Sequence, residues 1–231
     1  MHQIDMHLDV ISPYAYLAFE ALPQALVGLS VSVRYKPVLF GGLLKHHGQL
    51  GPAEIEPKKR WTFQQVNWLA RSQSLHLQPP SLHPFNPLAL LRLMLALGSG
   101  DGTCNRFITE SVLKHVWAQP QPLDASAPER VAQLAQTLLQ NMGRDAGATA
   151  VADALGSESA KAQLRTNTEQ AIALGLFGVP SFVVAGDVFW GLDSLPMLRA
   201  KLLGDSWFTS PKWQDAAPAQ GISRTGKSPI G

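Results

Sequence analysis

The chain has 231 residues, 45% of them hydrophobic and 16% charged, and carries a formal net charge of +2. Such a composition excludes collagen-like and intrinsically disordered chains. The densest basic cluster, Lys58-Lys59-Arg60, is too short to mark a nucleic-acid partner. The longest apolar run, Leu88 to Leu97, is broken by Arg92 and reaches about half the length that a bilayer crossing needs, so no membrane partner is expected. The length fits one domain of roughly 200 residues, or one domain carrying an insertion. The lone Cys104 leaves no internal disulfide to form, and the opening MHQIDMHLDV lacks the basic-then-apolar plan of a secretion signal. Both point to a soluble, cytoplasmic protein.

From Gln3 to Val10 the chain alternates, with Ile4, Met6, Leu8 and Val10 on one side and Gln3, Asp5, His7 and Asp9 on the other. Period two predicts a strand. Ser12-Pro13 then opens a helix, because the hydroxyl can accept an orphan amide and the φ of proline is already helical. A second alternating run, Val31 to Tyr35, ends at Lys36-Pro37, and a helical crossover makes the two strands parallel neighbours. Helical patterns follow from Pro57 to about Arg71, Leu88 to Leu97, Thr103 to Trp117, Pro128 to Met142 and Ala148 to Leu155. A last one, Glu158 to Leu174, is capped by Ser157 and closed by Gly175. Strand signals return at Ser181 to Ala185, with Gly186-Asp187 as the hairpin turn and Val188-Phe189-Trp190 as the antiparallel partner. A short helix spans about Asp193 to Leu203. Beyond Trp207 a stretch rich in Pro, Gly and Ser reads as a disordered tail.

The order β-α-β, a helical block, then β-β-α is that of an α/β, thioredoxin-like sheet with a large all-helical insertion after the second strand. Residues 1–40 and 176–207 form the two parts of the sheet-bearing domain, 41–175 the insertion and 208–231 the tail. One feature sits awkwardly with this. An interior strand is covered on both faces, yet the first strand carries Asp5, His7 and Asp9, so these must find buried partners or face a cleft.

Ser12 taken alone reads as a helix cap. Val179-Pro180 changes that reading, because it stands directly before a strand and faces the start of the first helix, where thioredoxin folds place a cis-proline. Dithiol exchange is excluded: it needs Cys-x-x-Cys, whereas positions 12 and 15 are Ser and Ala and Cys104 lies in the helical insertion. A hydroxyl beside a helix N-terminus can still steady a sulfur anion supplied from outside.

The segments Asp9-Val10-Ile11-Ser12-Pro13-Tyr14 through Phe19, Lys36-Pro37 through Leu43, His83-Pro84-Phe85-Asn86-Pro87, Phe177-Gly178-Val179-Pro180 and Trp190-Gly191-Leu192-Asp193 carry a resemblance. From residue 3 to about 208 the chain resembles the 2-hydroxychromene-2-carboxylate isomerases and the related kappa-class glutathione transferases, within the DsbA-like branch of the thioredoxin fold. The resemblance implies glutathione as cofactor, a small aromatic substrate and a homodimer. It implies that Ser12 donates a hydrogen bond to the glutathione sulfur, that the backbone of Val179 before Pro180 pairs with the cysteinyl unit, and that Asp193 binds the γ-glutamyl ammonium. Leu192 offers only its backbone there; Gln49 stands where relatives often have Asn, and Lys58 where relatives have a cation near a glutathione carboxylate. Relatives often follow Gly-x-Asp with Arg, and here Ser194 stands instead. The implied activity is glutathione-dependent isomerisation of an aromatic chromene carboxylate. The alternatives are a kappa-type glutathione transferase or peroxidase, and a non-catalytic thioredoxin-like binding module.

Other signals read as ordinary structure. Tyr14, Tyr16, Trp61 and Trp190 are expected in core packing, and Arg92 as a snorkelling or paired arginine. Gly221 to Ser228 matches the phosphate-loop pattern letter for letter, but no strand precedes it and Pro229 follows, so nucleotide binding is not expected. Adjacent His46 and His47 do not share a helix face, and no Cys or carboxylate set completes a metal site, so a solvated loop and no metal are expected.

Overall fold

The computed structural model describes residues 1–214. Its sheet holds four strands, β1 (His2–Leu8), β2 (Val31–Pro37), β3 (Ser181–Val184) and β4 (Asp187–Trp190), in the order β2-β1-β3-β4. β1 and β2 run parallel, from His2 opposite Val31 to Leu8 opposite Pro37. They are joined by helix α1 (Pro13–Ala25), as a crossover requires. β3 is antiparallel to both β1 and β4.

Between β2 and β3 lie seven helices: α2 (Phe40–His47), α3 (Glu56–Ser72), α4 (Leu88–Leu97), α5 (Arg106–Trp117), α6 (Pro128–Asn141), α7 (Ala148–Leu155) and α8 (Glu158–Ala173). Helix α4, LALLRLMLAL, is apolar nearly all round, which suits only a central position; it packs against α5, α6, α7, α8 and β2. Arg92 within it is half-buried, makes no ion pair among the described residues, and has its Nε buried without a hydrogen-bond partner.

The two faces of β1 explain its alternation. Ile4, Met6 and Leu8 are fully buried in the main core with Phe19 and Phe182. On the other face Asp5 pairs with Arg34 at 2.6 Å and Lys36 at 3.2 Å, both from β2. His7 is buried, its Nδ1 without a partner, and Asp9 just beyond the strand is wholly buried. Asp5 is therefore served by the neighbouring strand and Asp9 faces a cleft, while the buried His7 keeps an unpartnered Nδ1.

Several boundaries move from their expected places. The hairpin turn is Ala185-Gly186, one residue earlier than expected, with the positive φ at both central positions that a type I′ turn requires, 49° and 90°. Helix α5 begins at Arg106, since Cys104 first adds a bridge to Tyr35 and Asn105 then caps the helix through the Ile108 amide at 2.9 Å. His46 and His47 end helix α2 instead of lying in a solvated loop, and His47 Nε2 meets the Leu176 carbonyl at 3.1 Å. After α9 (Leu195–Leu202) the chain is ordered beyond Trp207: a 3-10 turn covers Ser206–Thr209 and α10 covers Pro211–Gln214. Buried Phe208 and the Trp213 ring, stacked 6.0 Å from Phe189, anchor this segment despite its polar composition. The phosphate-loop look-alike at 221–228 lies outside the described residues.

Candidate active site

Ser12 sits between β1 and α1 with extended backbone angles, φ −90° and ψ 117°, the geometry of an N-cap. Its Oγ accepts the Ala15 amide at 3.3 Å and its hydroxyl donates to the Val179 carbonyl at 3.4 Å. Both distances are long for their type, so the protein holds this hydroxyl loosely and leaves it free to turn toward a ligand. No acidic side chain in the first turn of α1 offsets the positive end of the helix dipole there.

Val179 arrives from the opposite side of the insertion, and its bond to Pro180 is cis, in the slot the sequence indicated. Among the described residues the Val179 amide has no hydrogen-bond partner, so one N–H stands open beside the Ser12 hydroxyl. Pro180 lies behind, its carbonyl accepting the Gly191 amide at 2.9 Å.

Ser12, Val179, Gln49 and Lys58 share the wall of one cavity of about 670 Å³. Pro180, Leu192 and Asp193 do not line it. Leu192 is half-buried against the core, and Asp193 is exposed in a 3-10 turn, its charge bearing on the Tyr14 hydroxyl. Burial and that charge raise the Tyr14 pKa. Tyr14 lines the cavity and donates to Gln65 at 2.6 Å. Trp190, half-exposed at 52%, also lines it and packs on Phe177 at 4.8 Å; Trp61, 64% exposed, is a surface residue. Neither tryptophan is a core residue as its type suggested, whereas Tyr16 is buried.

Asp9, His83, Lys59 and Phe40 are among the lining residues that the sequence reading of the site did not name. Asp9, 0% exposed, accepts the Ile11 amide at Oδ1 (3.0 Å) and the Phe40 amide at Oδ2 (2.8 Å), tying the loop before Ser12 to the start of α2. Burial pushes its pKa up to about 7, against which those amides pull. His83, whose bond to Pro84 is cis, meets the Ile11 carbonyl at 2.9 Å through Nε2. Burial first, and then the Lys59 charge, lowers its pKa. Lys59, whose charge bears on His83, is half-buried in the cavity wall, and Lys58 in the same wall is exposed. Phe40 closes one side from the unanticipated helix α2. The signals were present in His83-Pro84 and in the polar face of β1, but only the fold shows where they meet. Among the described residues, no group of three or more His, Cys, Asp and Glu is gathered to hold a metal, and no helix is long and apolar enough to cross a membrane.

The fold and this serine-proline site define a thioredoxin-type protein without a redox dithiol. The profile of the DSBA-like thioredoxin domain matches residues 3–203, and the chain belongs to that family. Human glutathione S-transferase kappa 1 is 25% identical over 222 residues, covering 88% of this chain and 92% of the relative. The 2-hydroxychromene-2-carboxylate isomerase of Sphingobium xenophagum is 26% identical over 208 residues, covering 87% and 97%. A solved 2-hydroxychromene-2-carboxylate isomerase matches with a TM-score of 0.71 at 20% identity, covering 94% of this chain and all of that one, a likeness of fold.

Proposed function

We propose that the chain is a glutathione-dependent isomerase of an aromatic chromene carboxylate. The observation that carries this is the pairing of a loosely held Ser12 hydroxyl with the open Val179 amide on one wall of a mainly apolar cavity. The isomerase and transferase names of relatives spanning most of the chain support it.

The residues fit the tripeptide. Val179 offers its amide to the cysteinyl backbone as an added strand would. Ser12 then redirects its hydroxyl proton to the sulfur, and the positive end of α1 favours the anion. Asp193, outside the lining but close enough for its charge to act on Tyr14, takes the γ-glutamyl ammonium, with the backbone of Leu192 beside it and Pro180 shaping the turn behind. Gln49 and the α3 cations Lys58 and Lys59, all in the cavity wall, meet carboxylates, the half-buried Lys59 more closely than the exposed Lys58. Bound glutathione would supply a thiolate for reversible addition to the conjugated substrate, which turns the double bond into a single bond that can rotate before elimination restores it. Phe63 and Phe85 give the aromatic substrate an apolar wall. On this reading the protein works in the cytoplasm as a homodimer.

The test is purified protein with glutathione and 2-hydroxychromene-2-carboxylate, followed by absorbance. Turnover is expected; glutathione binding without turnover removes the isomerase assignment. A kappa-type transferase or peroxidase uses the same residues and is favoured by the human relative. Conjugation of chlorodinitrobenzene without isomerisation selects it. Absence of calorimetric heat at millimolar glutathione selects a non-catalytic binding module instead, a reading favoured by Ser194 at the position after Asp193.

A further inference from the structure

Four consecutive backbone polar groups lead into Ser12, and every one is bonded. The Val10 carbonyl accepts from Trp117 Nε1 at 2.8 Å, and the Ile11 amide donates to Asp9 Oδ1 at 3.0 Å. The Ile11 carbonyl meets His83 Nε2 at 2.9 Å, and the Ser12 amide donates to the Asp9 carbonyl at 3.1 Å. The three side chains come from the end of β1, from α5 and from the loop before α4, so distant parts of the chain fix two peptide groups.

His83 is the member of this set that stability does not explain. A carbonyl opposite Nε2 fixes the proton on that nitrogen and leaves Nδ1 as a bare acceptor. That Nδ1 is buried without a partner. Burying an unsatisfied acceptor costs about as much as one hydrogen bond returns, and the ring lies among Phe63, Phe85 and Trp117 at centroid distances of 5.1, 6.2 and 5.7 Å. An apolar side chain suits such a place better, unless the N–H on Ile11 matters for something other than stability.

We propose that His83 is a positioning residue: by holding the Ile11 carbonyl it fixes the backbone from which the Ser12 side chain projects, and so keeps Oγ on the Val179 side of the cavity while the hydroxyl itself stays free to turn. This rests on the reading of Ser12 as the sulfur-binding group. The bond to Ile11 is one residue from the hydroxyl, and misplacing a reacting group by about 1 Å can cost on the order of a hundredfold in rate.

Two variants separate positioning from packing. His83→Leu keeps comparable bulk and removes the donor; His83→Gln keeps an N–H at similar reach. With glutathione and the chromene carboxylate, His83→Leu is expected to lower kcat about tenfold with KM for glutathione changed less than about twofold, and His83→Gln to recover to within about threefold of wild type. Equal losses in both variants, or none in His83→Leu, overturn the proposal. Amide hydrogen exchange at Ile11 and Ser12, measured without ligand, needs no assumption about the reaction. Faster exchange in His83→Leu that is restored in His83→Gln upholds the clamp even if wild-type protein does not turn over with glutathione, an outcome that removes only the functional reading. Unchanged exchange in His83→Leu overturns the clamp whatever the activity.

Discussion

The Ser12 hydroxyl stands 3.4 Å from the Val179 carbonyl oxygen, although the two residues lie 167 positions apart. A helix cap and a residue preceding a strand thus become two halves of one site, and the helices between them enclose the cavity beside it.

Replacing Ser12 separates its two duties. Ser12→Ala removes both the cap and the proposed sulfur-binding hydroxyl, so stability is expected to fall by about 1 kcal/mol, whereas Ser12→Gly costs only a few tenths. Turnover with glutathione is expected to drop on the order of a hundredfold in both. Urea unfolding and steady-state rates measured together check this; full activity in Ser12→Gly refutes the role of the hydroxyl.

The strand, the capped helix and the parallel crossover were legible because each announces itself locally, by alternation, by Ser-Pro and by connection length. Val179-Pro180 was legible because position in the fold, not local chemistry, singles it out. Helix α2 was not: FGGLLKHH carries two glycines and its N-cap, Leu39, has no capping side chain. Its first amide is instead served by Asp9, 31 positions away, and no local pattern reports such a partner. The ordered segment through Gln214 was hidden in the same way, since two aromatic anchors outweigh a polar average. Local signals found the elements; the long-range contacts that assign His83, Lys59 and Asp9 to the cavity wall needed the fold.

The β3–β4 turn carries a removable cost. Ala185 adopts φ 49°, a conformation that its Cβ disfavours by roughly 1 kcal/mol. Ala185→Asn creates the Asn-Gly pair that such turns prefer, and a stabilisation of about 0.5–1 kcal/mol is expected. An unchanged or lower urea midpoint contradicts it.

Gly178 is a steric test of the cavity wall. A Cβ built there lies 2.4 Å from Trp190 Nε1, so the indole must swing out. Trp190 is half-exposed, which makes that movement inexpensive for folding. Gly178→Ala is therefore expected to weaken glutathione binding severalfold in calorimetry, with a melting temperature close to wild type. Equal affinity removes Trp190 from the binding wall.

His7 and Asp9 give stability opposite pH slopes. Burial lowers the His7 pKa from 6.5 to about 4, with the Lys36 charge contributing, and raises that of Asp9 from 3.8 to about 7. Between about pH 4 and 6.5 the unfolded chain binds a proton at His7 that the folded chain refuses, so this residue makes stability rise with pH. Over the same window the folded chain keeps a proton on Asp9 that the unfolded chain has released, so this residue makes stability fall with rising pH, until about pH 7. The slopes oppose, each on the order of 1 kcal/mol per pH unit, and their combined contribution to wild-type stability is expected to be nearly flat. His7→Asn unmasks the Asp9 slope, and its stability relative to wild type is expected to decline from pH 4 to 6.5. Asp9→Asn unmasks the His7 slope and is expected to gain over the same range. The Asn side chain in each variant adds a constant offset and no slope, so urea unfolding at half-unit steps reads the difference directly. Relative slopes of the same sign in the two variants contradict the assignment.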